Sequence, residues 1–401
     1  MRMSVLIAGA GIAGPALAFW LKASGFQPTL VERAPRLRSG GYVIDFWGLG
    51  YDIAARMGLE KDLHATGYHV EELRVVDDAG RRIAGFGTKV FTELTDGRYV
   101  SLRRSDLSRL IFDKTKDDVE TIFGDEIAHL TEEAAGVRVR FRGGSERTFD
   151  LVVGADGLHS GVRDLAFGRE SRFEKDLGYA VAAFEAAGYR PRDEDAYLMH
   201  GQPGWMLGRF TMRDDRALFL FIFANGHQAL PATLSGQKAL LHDRYAGGKW
   251  ETPAILAALD RTGELYFDRV SQIRMPRWSK GRIALIGDAA FCVSLTAGQG
   301  SALAMVSAYV LAGELAKAAG NHSEAFAAYE EILKNYIGKK QRGAEHFARA
   351  FAPRTRFGLW FRDMTIRSFA IPGLAKLGVG RDMMDRLILP EYRWPLVDHV
   401  P

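Results

Sequence analysis

The stretch that most constrains the fold is the run from Val5 to Gly14, an apolar segment that breaks into three spaced glycines. A short apolar run bounded by glycine is typical of a buried parallel strand. In this pattern Gly9 makes the tight turn, Gly11 lets backbone amides approach a pyrophosphate, and Gly14 lets the next helix pack on the strand. The alternative is a glycine-rich turn that serves only packing.

The residues after the glycines supply the context that a dinucleotide site requires. A helical stretch covers 15–24, Gly25 suits its C-terminal end, and an apolar segment over 28–31 predicts a second strand. That strand ends in Glu32, about twenty residues after the glycines, where such sites place the carboxylate that binds the ribose. We therefore predict an α/β fold that binds a dinucleotide.

The composition excludes several other classes of protein. The chain has 401 residues, with 53 Lys and Arg against 49 Asp and Glu, and its net charge of +4 is too mild to indicate a nucleic-acid partner. The single cysteine, Cys292, rules out an internal disulfide or a cysteine-rich metal site, and we assign no metal ligands. No apolar stretch is long enough for a transmembrane segment. Because the first strand follows Met1 too closely for a targeting peptide, we expect a cytoplasmic protein.

Two further acids follow predicted buried strands. Asp156 comes after the apolar run that ends at 153, and Asp288 follows the run over 283–286. Since open α/β sheets bind ligands at the carboxyl ends of their strands, both acids are candidate ligand contacts, although an Asp-Gly turn is the alternative for Asp156. A glycine-rich turn over 298–300 then introduces a long helical run over 301–319, whose N-terminus favours negative charge.

The sequence changes character in the middle of the chain. Alternating aromatic segments over 179–275 predict an antiparallel sheet with a helical insertion near 236–245, and the alternating segments 73–76 and 82–86 predict a hairpin. We therefore divide the chain into a cofactor-binding domain (1–72, 100–177 and 276–330), an inserted substrate-binding sheet (73–99 and 178–275) and a C-terminal helical region (331–401). Phe210, Phe221 and Phe223 either line an apolar substrate pocket or pack in the core of this sheet.

Two other segments carry open interpretations. Gly40 and Gly41 form either a plain turn or a mobile loop beside the cofactor. The aromatic cluster over 357–361 either packs over the main domain or makes a peripheral membrane contact, which requires an exposed apolar face.

Three separated motifs, taken together, resemble those of the single-component FAD-dependent aromatic hydroxylases, the monooxygenases similar to para-hydroxybenzoate hydroxylase and the tetracycline-inactivating enzymes. They are the glycines of 9–14 with Glu32, the run Asp156-Gly157 to Arg163, and Gly287-Asp288-Ala289-Ala290 followed by 298–300. The resemblance spans about residues 3–320. It implies a Rossmann-like FAD-binding domain and a reaction in which NADPH or NADH reduces the flavin, O2 forms a flavin C4a-hydroperoxide, and an aromatic or polycyclic substrate is hydroxylated.

The resemblance also implies a set of FAD contacts. Glu32 would bind the adenosine ribose, with Arg33 beside the adenine. Arg104 would be the arginine that contacts FAD, with the adjacent Arg103 as the alternative. Asp156 belongs to the element that the family uses for both FAD and the nicotinamide cofactor. Asp288 would bond the ribityl chain, and the amides around 298–300 would face the pyrimidine edge of the flavin. The full set of implied cofactor contacts is Gly9, Gly11, Ile12, Ala13, Gly14, Glu32, Arg33, Arg104, Asp156, Gly287, Asp288, Gly298, Gln299 and Gly300.

The chain departs from the family pattern at three positions. Phe291, Leu295 and Ser307 stand where the family commonly has His, Pro and Asp. Two alternatives therefore remain open, namely another flavin oxidoreductase on the same fold and a flavin-bound ligand-binding protein that has lost activity. We assign no catalytic residue from sequence.

Overall fold

The structure is a computed structural model that describes residues 3–38, 42–295, 298–370 and 387–395. The loop at Gly40 and Gly41 lies outside these residues. The strands are β1 (Ser4–Ala8), β2 (Gln27–Glu32), β3 (Val43–Trp47), β4 (Glu72–Val76), β5 (Arg82–Gly87), β6 (Tyr99–Arg103), β7 (Glu120–Phe123), β8 (Ile127–Glu133), β9 (Gly136–Phe141), β10 (Glu146–Phe149), β11 (Leu151–Gly154), β12 (Glu174–Ala187), β13 (Ala196–Gln202), β14 (Trp205–Met212), β15 (Arg216–Ala224), β16 (Tyr266–Ile273), β17 (Ser279–Lys280) and β18 (Ile283–Leu285).

The helices are α1 (Ala13–Ala23), α2 (Leu49–Arg56), α3 (Glu60–Thr66), α4 (Lys89–Leu94), α5 (Arg104–Asp113), α6 (Gly161–Ala166), α7 (Leu234–Tyr245), α8 (Thr252–Arg261), α9 (Asp288–Phe291), α10 (Gly300–Lys317), α11 (His322–Phe351) and α12 (Arg356–Ser368). None of the helices in the described ranges combines the length and apolar character that crossing a membrane requires.

A mostly parallel sheet carries the glycine-rich segment. Its strand order is β17-β18-β11-β1-β2-β7, and Ile7 in the central strand β1 is opposite Val153 on one side and Leu30 on the other. Val5, Leu6 and Ile7 are fully buried, which explains why β1 is apolar throughout rather than alternating. The predicted α/β fold with a parallel sheet is confirmed.

A second sheet of seven strands has the order β16-β12-β15-β14-β13-β4-β5. Its neighbouring strands are antiparallel except for β13 and β4, which run parallel. The predicted hairpin, β4 with β5, forms the far edge of this sheet, so residues 72–87 join strands that come about a hundred residues later in the chain. Helices α7 and α8 pack on one face and leave the other face for the site described below.

The remaining elements link these two sheets. Strands β8, β9 and β10 form a small antiparallel sheet, and β3 pairs with β6. Helix α10 packs against α1, α2 and α11, and it is buried over most of its length because these helices and the C-terminal segment at Tyr392 and Trp394 cover it. Helices α11 and α12 follow, with α12 against β5.

Candidate functional site

One cavity of about 2290 Å³ is lined from both main sheets. Small-molecule pockets usually occupy roughly 300–1,000 Å³, so this cavity has room for more than one ligand. One wall is the carboxyl edge of the parallel sheet, and the opposite wall is the open face of the seven-stranded sheet.

The glycine-rich turn forms the first part of the cavity wall. Gly9 has φ of +103°, and a Cβ there would lie 2.5 Å from the carbonyl oxygen of Ala155. A Cβ at Gly14 would lie under 3.0 Å from the carbonyl oxygen of Gly9, so the helix can approach the turn only because Gly14 has no side chain. At Gly11, by contrast, a Cβ would meet nothing within 4 Å, and Gly11 lines the cavity.

This turn fits the pyrophosphate of a dinucleotide. Gly11, Ile12 and Ala13 all line the cavity at the N-terminus of α1, where backbone amides are left without partners inside the helix. The positive end of the helix dipole favours an anion at this position, and Gly11 leaves the space that such a group needs.

Glu32 lies at the end of β2 and is held beside the same turn. Its Oε2 accepts a hydrogen bond from the amide of Ala10 at 2.9 Å, and Oε1 accepts one from the amide of Ala34 at 3.0 Å. Glu32 and Arg33 both line the cavity. Each carboxylate oxygen retains a further lone pair, so Glu32 can accept a hydrogen bond from a ligand in the cavity.

Asp156 shapes the loop after β11. Its carboxylate accepts hydrogen bonds from the Ser160 hydroxyl at 2.5 Å and from the Val162 amide at 3.1 Å. Burial raises its pKa, against the effect of these bonds. Fully buried Arg163 then donates to the carbonyl of Ala289 at 3.0 Å, which ties this loop to the second acidic segment. Asp156 lines the cavity, but most of its described hydrogen bonding serves the turn.

The segment around Asp288 provides the next part of the wall. Gly287, with φ of +58°, donates its amide to the hydroxyl of Ser307 at 3.1 Å, so Ser307 links this turn to α10. Burial raises the pKa of Asp288, and the nearby guanidinium of Arg104 opposes this shift. A Cβ at Gly300 would lie 3.8 Å from Oδ1 of Asp288, which places the carboxylate beside the start of α10.

Gly298, Gln299 and Gly300 precede and begin α10, and all three line the cavity. Gly298 has φ of +64°, a conformation that favours glycine. The N-terminus of this buried helix therefore faces the same space as Asp288, and its dipole favours negative charge there.

The structure separates the two neighbouring arginines by the charges that they face. Arg103 forms an ion pair with Glu185 of the seven-stranded sheet at 3.5 Å. The charge of Arg104 instead acts on Asp288 and on Tyr42. Both arginines line the cavity, and the charge of Arg104 opposes the rise in the pKa of Asp288 whereas Arg103 is paired with Glu185.

Phe291 and Leu295 have different surroundings. Phe291 packs on Trp278, with ring centroids 4.6 Å apart, and belongs to the core of the parallel-sheet region. Within the described ranges, Leu295 lines the cavity and Phe291 does not. Cys292 also lines it, but burial and the neighbouring carboxylate of Asp288 raise the pKa of its thiol well above the usual value.

The predicted aromatic residues of the seven-stranded sheet lie on two different faces. Phe210 lines the cavity. Phe221 and Phe223 instead pack against Tyr245 of α7, with ring centroids 4.9 and 6.2 Å away. We therefore assign these two residues to the core rather than to a substrate pocket.

The cavity wall formed by the seven-stranded sheet and α12 is apolar, and of its residues only Phe210 was predicted from the sequence as a pocket residue. Its strand residues come from β13, β14 and β15, and its helical residues come from α12. They are Met199, Phe210, Leu218, Leu220, Ile222, Phe361 and Ile366. The sequence pattern that could have identified this wall is in β15, where Leu218, Leu220 and Ile222 alternate with the phenylalanines and so lie on the other face of the strand.

A small group of polar side chains also lines the cavity. Asp45 accepts hydrogen bonds from the hydroxyls of Tyr99 and Ser101, both at 2.6 Å. Tyr42 and Tyr266 lie with their ring centroids 5.7 Å apart, and burial raises the pKa of Tyr42 to about 12. These groups come from distant parts of the chain, so no local sequence pattern predicts that they lie together.

Comparisons with known proteins agree with this geometry. Residues 2–345 match the family model described as FAD binding domain. A protein named flavin-dependent monooxygenase, from an unknown prokaryotic organism, is 36% identical over 400 residues, which cover 97% of this chain and 98% of that protein.

Solved structures give the same result. The crystal structure of the tetracycline destructase Tet(55) is 31% identical, covers 98% of this chain and 99% of its own, and superposes with a TM-score of 0.84. Klebsiella pneumoniae HpxO, solved with FAD and uric acid, shares the fold at 22% identity and a TM-score of 0.79, with 95% of each chain covered. The chain therefore belongs to the FAD-binding family of flavin-dependent monooxygenases, of the aromatic hydroxylase type.

Proposed function

We propose that this monooxygenase uses NADPH or NADH and O2 to hydroxylate an aromatic or polycyclic small molecule. The observation that carries the proposal is the single cavity in which an anion-binding turn and an apolar wall face one another. A cavity with only the first feature would suit a cofactor alone, whereas the second provides a surface for an apolar substrate.

The cofactor wall would hold FAD through the residues of the parallel sheet. The amides at Gly11, Ile12 and Ala13 would bind the pyrophosphate, Glu32 would bind the adenosine ribose, and Asp288 would accept a hydrogen bond from the ribityl chain. Bound FAD supplies the activation of O2 and the transfer of one oxygen atom. The N-terminus of α10 would stabilise negative charge on the part of the cofactor beside Gly298 to Gly300.

The substrate wall would orient an apolar ring system and exclude water. Its residues Met199, Leu218, Leu220 and Ile222 offer no hydrogen-bonding groups, so they favour a substrate with apolar rings. Exclusion of water protects reactive intermediates of the reaction from side reactions. The relation to a tetracycline destructase supports a polycyclic substrate, because the two chains match over almost their full lengths.

The proposal is tested by anaerobic reduction of the purified flavoprotein with NADPH and with NADH, with and without a panel of phenolic and polycyclic compounds. Air is then admitted and the compounds are analysed by mass spectrometry. We expect a ligand to accelerate bleaching of the flavin and a product that is heavier by one oxygen atom. Leu220→Trp, which fills the apolar wall, should abolish the acceleration but retain FAD, whereas Leu234→Trp on the exposed surface should behave as the wild type.

Two outcomes would contradict the proposal. A bound flavin that neither nicotinamide reduces with any ligand would favour the flavin-bound binding protein. Reduction followed by a product without added oxygen would indicate a different flavin oxidoreductase on this fold.

A further inference from the structure

Helix α12 exposes a cluster of large aromatic side chains. Phe357, Trp360 and Phe361 are 72%, 56% and 61% exposed. Their spacing places them on one face of the helix, and the rings of Phe357 and Trp360 lie 5.7 Å apart. We call these three residues the aromatic face. Exposed apolar residues that are scattered singly need no explanation, but a contiguous group of this kind marks an interaction surface.

The opposite side of α12 is anchored, so the aromatic face is held outward. Arg362 is buried and donates to the carbonyl of Phe351 at 3.2 Å and to its neighbour Asp363 at 2.8 Å. The hydroxyl of Thr355 caps the helix by accepting from the amide of Gly358 at 3.0 Å. The helix could not turn its aromatic rings inward without exposing the Arg362 guanidinium and breaking these bonds.

Cations border the aromatic face. Exposed Arg356 lies one turn before Trp360, and exposed Arg367 lies two turns after it, where its Nε donates to the carbonyl of Ile83. The acid of this helix, Asp363, is paired with Arg362 and is largely buried. The outward side of α12 therefore combines aromatic rings with positive charge.

We infer that the aromatic face docks on the interface of a bilayer that contains anionic phospholipid. Amphipathic helices with Phe and Trp on one side and basic residues beside them lie in the plane of the membrane interface. Aromatic side chains insert at the level of the headgroups, and each nearby arginine gains from the negative surface potential. A second copy of this chain would bring two basic edges together, so the charge favours lipid. Phe361 also lines the cavity, whereas Phe357 and Trp360 lie outside its lining, and the inference does not depend on the identity of the substrate.

The test is co-sedimentation of the full-length flavoprotein with phosphatidylcholine vesicles that contain or lack phosphatidylglycerol. We expect binding that increases with the anionic lipid. The triple variant Phe357→Ser, Trp360→Ser, Phe361→Ser should lose binding by about tenfold or more. Arg356→Gln should weaken binding to anionic vesicles by about fivefold and leave binding to phosphatidylcholine unchanged.

The matched control removes exposed leucines elsewhere, with Leu165→Ser and Leu234→Ser in one chain, and should bind as the wild type. Retention of the flavin absorbance in every variant shows that the fold is intact. Wild-type protein that does not sediment with anionic vesicles would overturn the inference, and so would a triple variant that binds as well as the wild type. A wild-type dimer that the triple variant dissociates, without vesicle binding, would instead identify the partner as a second copy.

Discussion

Alanine should have different effects at two glycines of the same turn, lowering the stability of the protein at Gly14 and its affinity for FAD at Gly11. Replacing a helical glycine by alanine normally stabilises a protein by about 1 kcal/mol. Gly14 lies in α1, yet a Cβ there would stand under 3.0 Å from the carbonyl oxygen of Gly9. Overpacking of this kind costs up to about 3 kcal/mol, so we expect Gly14→Ala to lower the free energy of unfolding by about 2 kcal/mol.

Gly11→Ala is the matched control for stability and the test for cofactor binding. Its Cβ would meet no atom within 4 Å and its φ lies outside the left-handed region, so the apoprotein should keep its stability within about 0.5 kcal/mol. The same methyl group would occupy the space that we assign to the pyrophosphate. We therefore expect the Kd for FAD to rise about tenfold or more, which corresponds to about 1.4 kcal/mol.

Both quantities are measured on the apoprotein, since bound FAD would itself add stability. Urea unfolding gives the free energy of unfolding, and with an m-value of about 3 kcal/mol/M the midpoint of Gly14→Ala should fall by about 0.7 M. Titration with FAD gives the Kd of the Gly11→Ala protein. A Gly14→Ala apoprotein as stable as the wild type would refute the close-packing argument, and a Gly11→Ala protein with the wild-type Kd would refute the position of the pyrophosphate.

Three further predictions follow from individual side chains. The carboxylates of Asp268, at 3.2 Å, and Glu170, at 2.9 Å, raise the pKa of His159 to about 10. The stabilisation from these two ion pairs is therefore complete below about pH 6.5 and is lost as the pH rises through 10. His159→Asn should therefore lower the urea midpoint at pH 6 but not above pH 10; equal losses at both pH values would contradict the ion pair. The buried thiol of Cys292 should resist iodoacetamide at pH 8 until denaturant is added, and mass spectrometry that finds native labelling would contradict its burial. Phe221→Ala should lower the free energy of unfolding by about 3–5 kcal/mol. Leu220→Ala should lower it less but should weaken ligand binding. If unfolding and ligand titration give the reverse pattern, the two faces of β15 are misassigned.

The cofactor half of the site could be predicted because its information is local. The positive φ of Gly9 and the close contact of Gly14 with the carbonyl of Gly9 are both decided within the turn, and Glu32 follows at the end of the next strand. Asp156 and Asp288 could be placed on the same wall because the carboxyl ends of parallel strands meet at one edge of the sheet.

The orientation of individual side chains depends on contacts with other segments of the chain. Both faces of β15 are apolar, so alternation alone does not say which face meets α7 and which faces the cavity, and the prediction for Phe221 and Phe223 depended on that choice. The role of Phe291 likewise depends on Trp278, which lies on a different segment of the chain.

The strand, turn and helix of the cofactor site can therefore be predicted from the amino-acid sequence, because short-range sterics and the helix N-terminus dictate them. The pairing of Arg103 with Glu185, the effect of the Arg104 charge on Asp288, and the exposure of Phe357 and Trp360 on α12 became clear only from the folded chain. The physical reason is that charge pairing and burial depend on which surfaces meet in space, and those surfaces come from segments that are far apart in the chain.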